Sequence, residues 1–162
     1  MLSLKRMFQI TLLLSMTLIV AACGSNSGAN TTPSTPILKS ATMMVNGASD
    51  TVLTNAQGMT LYYLKSDTST KTACTGTCAG IWPPLLFTGT GAPTSATTVP
   101  GTLAVFNSAN GQQVEYNGHQ LYTYSGDTAP GQTNGEGFKG VWFVATSSLS
   151  GQSAPTPKPY GY

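Results

Sequence analysis

Charge is scarce in this chain: seven Lys and Arg and five Asp and Glu among 162 residues. Without Lys5 and Arg6, which fall in an export signal, the basic residues number five and equal the acids. A neutral chain with so few charges lacks the basic footprint that nucleic acid or an anionic lipid surface requires. Histidine occurs once, as His119, and cysteine three times. GxSxG, HExxH and a phosphate-cradling glycine loop are all missing, so no familiar catalytic constellation is present. CxxCH is missing too, which disfavours covalent haem. After residue 22 there is no apolar repeat of helical period, and the glycines are scattered as turn residues.

The N-terminus, by contrast, is densely informative. Lys5 and Arg6 precede an apolar run from Met7 to Val20, interrupted only by Gln9, Thr11, Ser15 and Thr17. That is the pattern of an export signal, and the run is shorter than the ~20 residues a spanning helix needs. It ends in Val20-Ala21-Ala22-Cys23, which resembles the lipobox of bacterial lipoproteins, where small residues fit a peptidase groove and the thiol accepts lipid. Residues 1–22 are therefore expected to be removed and Cys23 to carry acyl chains such as palmitate. Two or more such chains anchor firmly. Gly24 follows the cysteine, which favours the outer membrane of a double-membraned cell; a single-membraned cell would display the protein on its outer face. Residues 23–37 then read as lipidated cysteine and flexible tether, 38–149 as the folded domain, and 150–162 as a Pro- and Gly-rich tail.

Laid against itself at an offset of 60, the chain matches Gly58-Met-Thr-Leu61-Tyr62-Tyr-Leu64 to Gly118-His-Gln-Leu121-Tyr122-Thr-Tyr124. The register carries Asp67 onto Asp127, Gly80 onto Gly140 and Trp82 onto Trp142, the only two tryptophans. Alternation in LYYL and LYTY between turn residues argues strands. Further strand candidates are 41–45, 51–54, 84–88, 103–107, 112–116 and 141–146, with Asn46-Gly47, Asn110-Gly111 and Asn117-Gly118 as turns. The expected fold is all-β: two related units, about 50–88 and 110–146, sharing one core in a sandwich or barrel.

Tyr122-Thr-Tyr124-Ser-Gly-Asp127 resembles the Yx(FWY)xxD signature of a family of bacterial lipoproteins, the secreted lipoprotein repeat of unknown function. CTGTCAGIWPPL at 74–85 and QVEYNGHQLYTYSGDTAPGQTNGEGFKGVWF at 113–143 extend the likeness; Leu64 replaces the aromatic in the first copy. The resemblance implies an exported, lipid-anchored domain and brings no established activity.

Three constellations invite chemistry. With Cys23 given to lipid, Cys74 and Cys78 form a pair in an oxidising compartment, where a disulfide is the leading reading. The alternative is a Cu(I) site of Cys74, Cys78 and His119, with Met43, Met44 and Met59 as thioether donors, serving copper handling or electron transfer. Against it, His119 aligns with Met59, as a tolerant, exposed strand-edge position would. Asp67 and Asp127, as repeat equivalents, suit either turn-making or the paired carboxylates of a hydrolase. Tyr62, Tyr122, Tyr124, Trp82 and Trp142 suit a buried core, or else an exposed platform for sugars. The reading that follows is a lipid-tethered, non-enzymatic binding or structural module with an envelope partner or ligand and no cofactor.

Overall fold

The computed structural model describes residues 35–152. The signal peptide, Cys23, nearly all of the tether and the end of the tail lie outside the described residues. Seven strands occur in this span: β1 (Leu38–Val45), β2 (Ala48–Asn55), β3 (Tyr62–Leu64), β4 (Leu103–Ser108), β5 (Gly111–Tyr116), β6 (His119–Gln120) and β7 (Trp142–Val144). A five-residue helix, α1 (Thr77–Ile81), and a 3₁₀ turn at Phe138–Gly140 complete the inventory.

Every pairing between these strands is antiparallel, and Leu38 at the start of β1 adds a single parallel bridge to Ser95. Asn46-Gly47 joins β1 to β2 with φ of 50° and 80°, the left-handed pair that a two-residue hairpin requires. Asn117-Gly118 does the same between β5 and β6 with φ of 52° and 82°. The β4–β5 turn, in contrast, uses Ala109 and Asn110, and Gly111 already opens β5. Segment 84–88 is not a ladder strand; it makes single bridges, Pro84 with Tyr122 and Leu86 with Gln113. Pro83 and Pro84 carry no N–H, so a continuous ladder cannot form there.

The two copies are intertwined. Leu53 N–H donates to the Ala145 carbonyl at 2.8 Å, and Val114 N–H donates to the Leu85 carbonyl at 2.8 Å. Each copy's hairpin therefore pairs with the returning segment of the other copy. The relation closes on itself at Tyr62 and Tyr122, which exchange backbone hydrogen bonds of 2.8 and 2.9 Å. A residue that pairs with its own equivalent lies on the local two-fold axis. Outward from that axis the order is β3, β7, β2, β1 on one side and Tyr122, Pro84–Leu86, β5, β4 on the other. The sheets are open, as in a sandwich, with the two hairpins at the margins.

Neighbouring residues of the central segments point to opposite faces, as the strand period demands. Leu53, Leu61, Val114, Leu121 and Ala145 gather in one apolar cluster; Val52, Tyr62, Tyr122, Val144, Trp82 and Trp142 gather in the other. Both clusters draw on both copies, so neither copy encloses an interior alone. Burial of each large side chain contributes about 1.5–3 kcal/mol.

Candidate functional site

The family motif is a reciprocal tie between copies. Tyr62 Oη donates to Asp127 Oδ2 at 2.7 Å, and Tyr122 Oη donates to Asp67 Oδ2 at 2.6 Å. The second carboxylate oxygen of each aspartate organises its own loop. Asp67 Oδ1 accepts Ala73 N–H at 2.7 Å, and Asp127 Oδ1 accepts Asn134 N–H at 3.0 Å. Both acids are buried and hold hydrogen bonds at both carboxylate oxygens, a geometry that fastens loops. Burial pushes both phenols above their ordinary range, and the hydrogen-bonded aspartates add to the shift. Burial also raises the Asp67 carboxyl, opposed by the Tyr122 and Ala73 hydrogen bonds.

Next to these ties stands an aromatic column. Trp82 and Trp142 stack at 3.9 Å between ring centroids with planes 4° apart, and Tyr124 stacks on Trp82 at 4.3 Å. Tyr62 meets Trp82 edge-on at 5.4 Å and Tyr122 meets Trp142 at 5.1 Å, the same contact once in each copy. With Trp82 at 2% and Trp142 at 4% exposure, the two tryptophans are interior and offer no stacking face to a sugar, while Tyr124 at the end of the column is half-buried. Gly135 completes the wall; a Cβ there would lie 2.8 Å from the Trp82 ring and 2.9 Å from Tyr62.

Cys74 and Cys78 are joined as a disulfide across the start of α1, with Cα atoms 5.2 Å apart. The Cys74 carbonyl accepts the Asn110 side-chain amide at 2.8 Å, which ties the staple to the β4–β5 turn. The second copy has Asn134 and Phe138 at these positions, and Phe138 instead packs edge-on against Trp82. Disulfide sulfurs are not the thiolates Cu(I) would take. His119, expected at an exposed edge, is half-buried in β6 with both nitrogens engaged. Gln152 Nε2 lies 3.0 Å from Nδ1, so the ring hydrogen sits on Nε2, which donates to the Ser150 carbonyl at 3.0 Å. Burial lowers the pKa of this imidazole. Among the described residues no group of three or more His, Cys, Asp or Glu is placed to hold a metal ion. Replacing both cysteines by serine is expected to lower stability by about 2 kcal/mol, the closure entropy of so small a loop. A urea titration of the double variant against wild type measures it.

A cleft of about 510 Å³ opens beside His119, lined by Lys65, Asp67, Thr68, Ser69, Thr70, His119 and Gln152. The internal repeat is a built-in control. Tyrosine, aspartate and tryptophan recur in both copies and serve the shared architecture. Lys65 and His119 do not recur; their equivalents are Ser125 and Met59. On the other side, Pro130 closes over Gly58, and Gln132 Oε1 accepts the Thr128 and Ala129 N–H groups at 2.6 and 3.0 Å. The cleft thus belongs to one side of the two-fold only. Sequence reasoning singled out His119 but not Lys65, Thr68, Ser69, Thr70 or Gln152; the available signal was the mismatch at aligned repeat positions.

An antiparallel domain of two intertwined copies, each tying its tyrosine to the other's aspartate, is a repeat protein whose unit is half a fold. The chain belongs to the family described as a secreted repeat of unknown function, which matches residues 43–86 and again 104–146. No curated protein and no solved structure matches the chain. Membership makes this a secreted protein. No helix among the described residues is long and apolar enough to cross a membrane.

Proposed function

We propose that the chain is a lipid-anchored, non-enzymatic binding module of the cell envelope, held by acyl chains on Cys23 and binding a polar ligand in the His119 cleft. The observation that carries the binding role is the one-sidedness of that cleft. Lys65 and Ser69 have no counterpart in the second copy, where Ser125 and Ala129 stand, yet they border an open space beside His119. The lining residues bring hydroxyls from Thr68, Ser69 and Thr70, the Lys65 ammonium, the Gln152 amide, the Asp67 carboxylate and the His119 imidazole, with their aliphatic stems between. Such groups recognise a hydroxylated or acidic small molecule. The volume falls within the ~300–1,000 Å³ of small-molecule sites. The lipobox at Val20–Cys23 and the secreted family support the anchor.

Two measurements test the reading. Cys23→Ala is expected to lose metabolic palmitate label and to leave the membrane fraction; retention without the cysteine would refute the anchor. Soluble oligosaccharides and sugar acids are then titrated against the full-length protein while its unfolding is followed. A ligand at 100 times its Kd adds about 2.7 kcal/mol of stability. Ser69→Trp, which fills the cleft, should abolish that gain, and a gain that survives the substitution would place binding elsewhere.

A further inference from the structure

Residues 149–152 lie against the turn between β5 and β6 and end at the His119 cleft. Asn117 holds them there: its Nδ2 donates to the Leu149 carbonyl at 2.8 Å, and its carbonyl accepts Gln152 N–H at 3.0 Å. The Gln152 side chain is placed as only one protonation state of His119 permits. Its single nitrogen, Nε2, lies 3.0 Å from His119 Nδ1 and donates to the Asp67 carbonyl at 2.9 Å. One amide hydrogen goes to each, so Gln152 bridges β6 to the loop that follows β3.

A proton on Nδ1 breaks this bridge, because two N–H groups would then point at each other. Turning the amide end for end would give Nδ1–H an acceptor, yet it would set the Gln152 oxygen against the Asp67 carbonyl oxygen. The other ring nitrogen brings no relief, since Nε2 already donates to the Ser150 carbonyl at 3.0 Å and keeps that bond when the ring is charged. The imidazolium thus retains Ser150 and loses Gln152. Tyr63 of β3 meets the ring edge-on at 4.9 Å, Tyr116 of β5 stands opposite it, and Lys65 and Asp67 flank it in the cleft. Glu115, the acid of β5, pairs with Gln120 and points to the other face. Burial lowers the His119 pKa against the pull of the Ser150 carbonyl and the Asp67 charge. Met59, the equivalent of His119, takes up no proton, so the arrangement exists on one side of the two-fold only.

We propose that His119 is an acid-sensitive catch: protonation at Nδ1 expels the Gln152 amide, frees the Asp67 carbonyl and opens that wall of the cleft. The loop itself stays in place, held by Gln120 Nε2 on the Thr68 carbonyl at 2.7 Å and by Tyr122 on Asp67. With Gln152 released the ring titrates near ~6.5, so the catch is fully closed above that pH and loosens as pH falls below it. The catch needs no ligand; its control of ligand entry rests on the binding role argued above.

The test is an NMR titration of isotope-labelled full-length protein in detergent micelles, from about pH 8 to pH 4. The signals read are the His119 ring, the Gln152 side-chain amide and the Thr68 backbone nitrogen, whose peptide group includes the Asp67 carbonyl. All are expected to move together with one midpoint below ~6.5. Gln152→Met keeps the bulk and removes the donor, and should raise the His119 midpoint. Gln152→Glu gives Nδ1–H an acceptor, and should raise it by about 1 pH unit or more. His119→Met, which copies the other side, should abolish the transition at Gln152 and Thr68 in a protein that still folds. Signals at Gln152 and Thr68 that move regardless in His119→Met would assign the change to Asp67 and overturn the catch. A His119 midpoint unaltered by both Gln152 variants would overturn it equally. Either failure leaves the ligand titration of the cleft standing as a separate test.

Discussion

Trp142→Ala is expected to cost about 3–5 kcal/mol of unfolding free energy, the usual range for truncating a buried aromatic to alanine. Several contacts vanish together. Trp142 stacks on Trp82 at 3.9 Å, meets Tyr122 edge-on at 5.1 Å and pairs across the ladder with Leu64. Tyr122 in turn holds Asp67, so the cavity opens directly beneath one of the two ties between copies. Against a typical stability of about 5–15 kcal/mol, such a loss removes a large part of the whole. Trp82→Ala should behave alike. The double variant should cost less than the sum of the two, because residues in contact couple. Val141→Ala, one residue away but exposed, is the control and should stay within about 0.5 kcal/mol. Urea unfolding of the four variants against wild type decides the matter. A Trp142→Ala cost below about 1 kcal/mol would mean that the column is not the structural centre.

The same tryptophans show how far the sequence alone reaches. Their coincidence at an offset of 60 exposed the repeat, and the strand character of the LYYL and LYTY segments followed from alternation. Yet an alignment of a chain with itself reveals which residues are equivalent, not which ones touch. Tyr62 bonding Asp67 within a copy and Tyr62 bonding Asp127 across copies satisfy the same pattern, and only the second occurs. The offset also conceals its own drift. Leu53 answers to Val114, an offset of 61, because the first copy has one residue more before Leu61 than the second has before Leu121. Asn55 therefore answers to Tyr116, an equivalence visible only with the strand register in hand. Helix α1 escaped notice for a different reason. Five residues with none of them buried give no apolar period, and its one sequence trace is the four-residue spacing of Cys74 and Cys78. The cleft at His119 was half legible: the lone histidine stood out, while Lys65 and Gln152 acquire meaning only from where the loops bring them.

Raising the pH above 10 is expected to unfold this domain steeply, because its two central phenols cannot ionise where they are. Tyr62 and Tyr122 are wholly buried, and each donates its proton to a carboxylate. Burial is the larger cause of their raised pKa values, and the aspartates add to it. In the unfolded chain a tyrosine ionises near pH ~10. Above that point the unfolded state releases protons that the folded state keeps, so stability falls as pH rises. Each tyrosine contributes a slope approaching about 1.4 kcal/mol per pH unit until its folded-state pKa is reached, and below pH ~10 the contribution is fully retained. Two such groups erode about 5 kcal/mol by pH ~12, comparable to the total stability of a small domain. The acid side runs the opposite way at Asp67. Its raised pKa means that acidification through the folded value, down to the unfolded one near ~3.9, adds stability there. Urea midpoints at intervals from neutral pH to pH ~12, with phenolate absorbance read in parallel, test the alkaline limb. Tyr62→Phe should lower the starting stability through the lost hydrogen bond yet roughly halve the slope above pH ~10. Midpoints that stay level across that range, or phenolate appearing while the domain remains folded, would show that the ties do not close the centre against water.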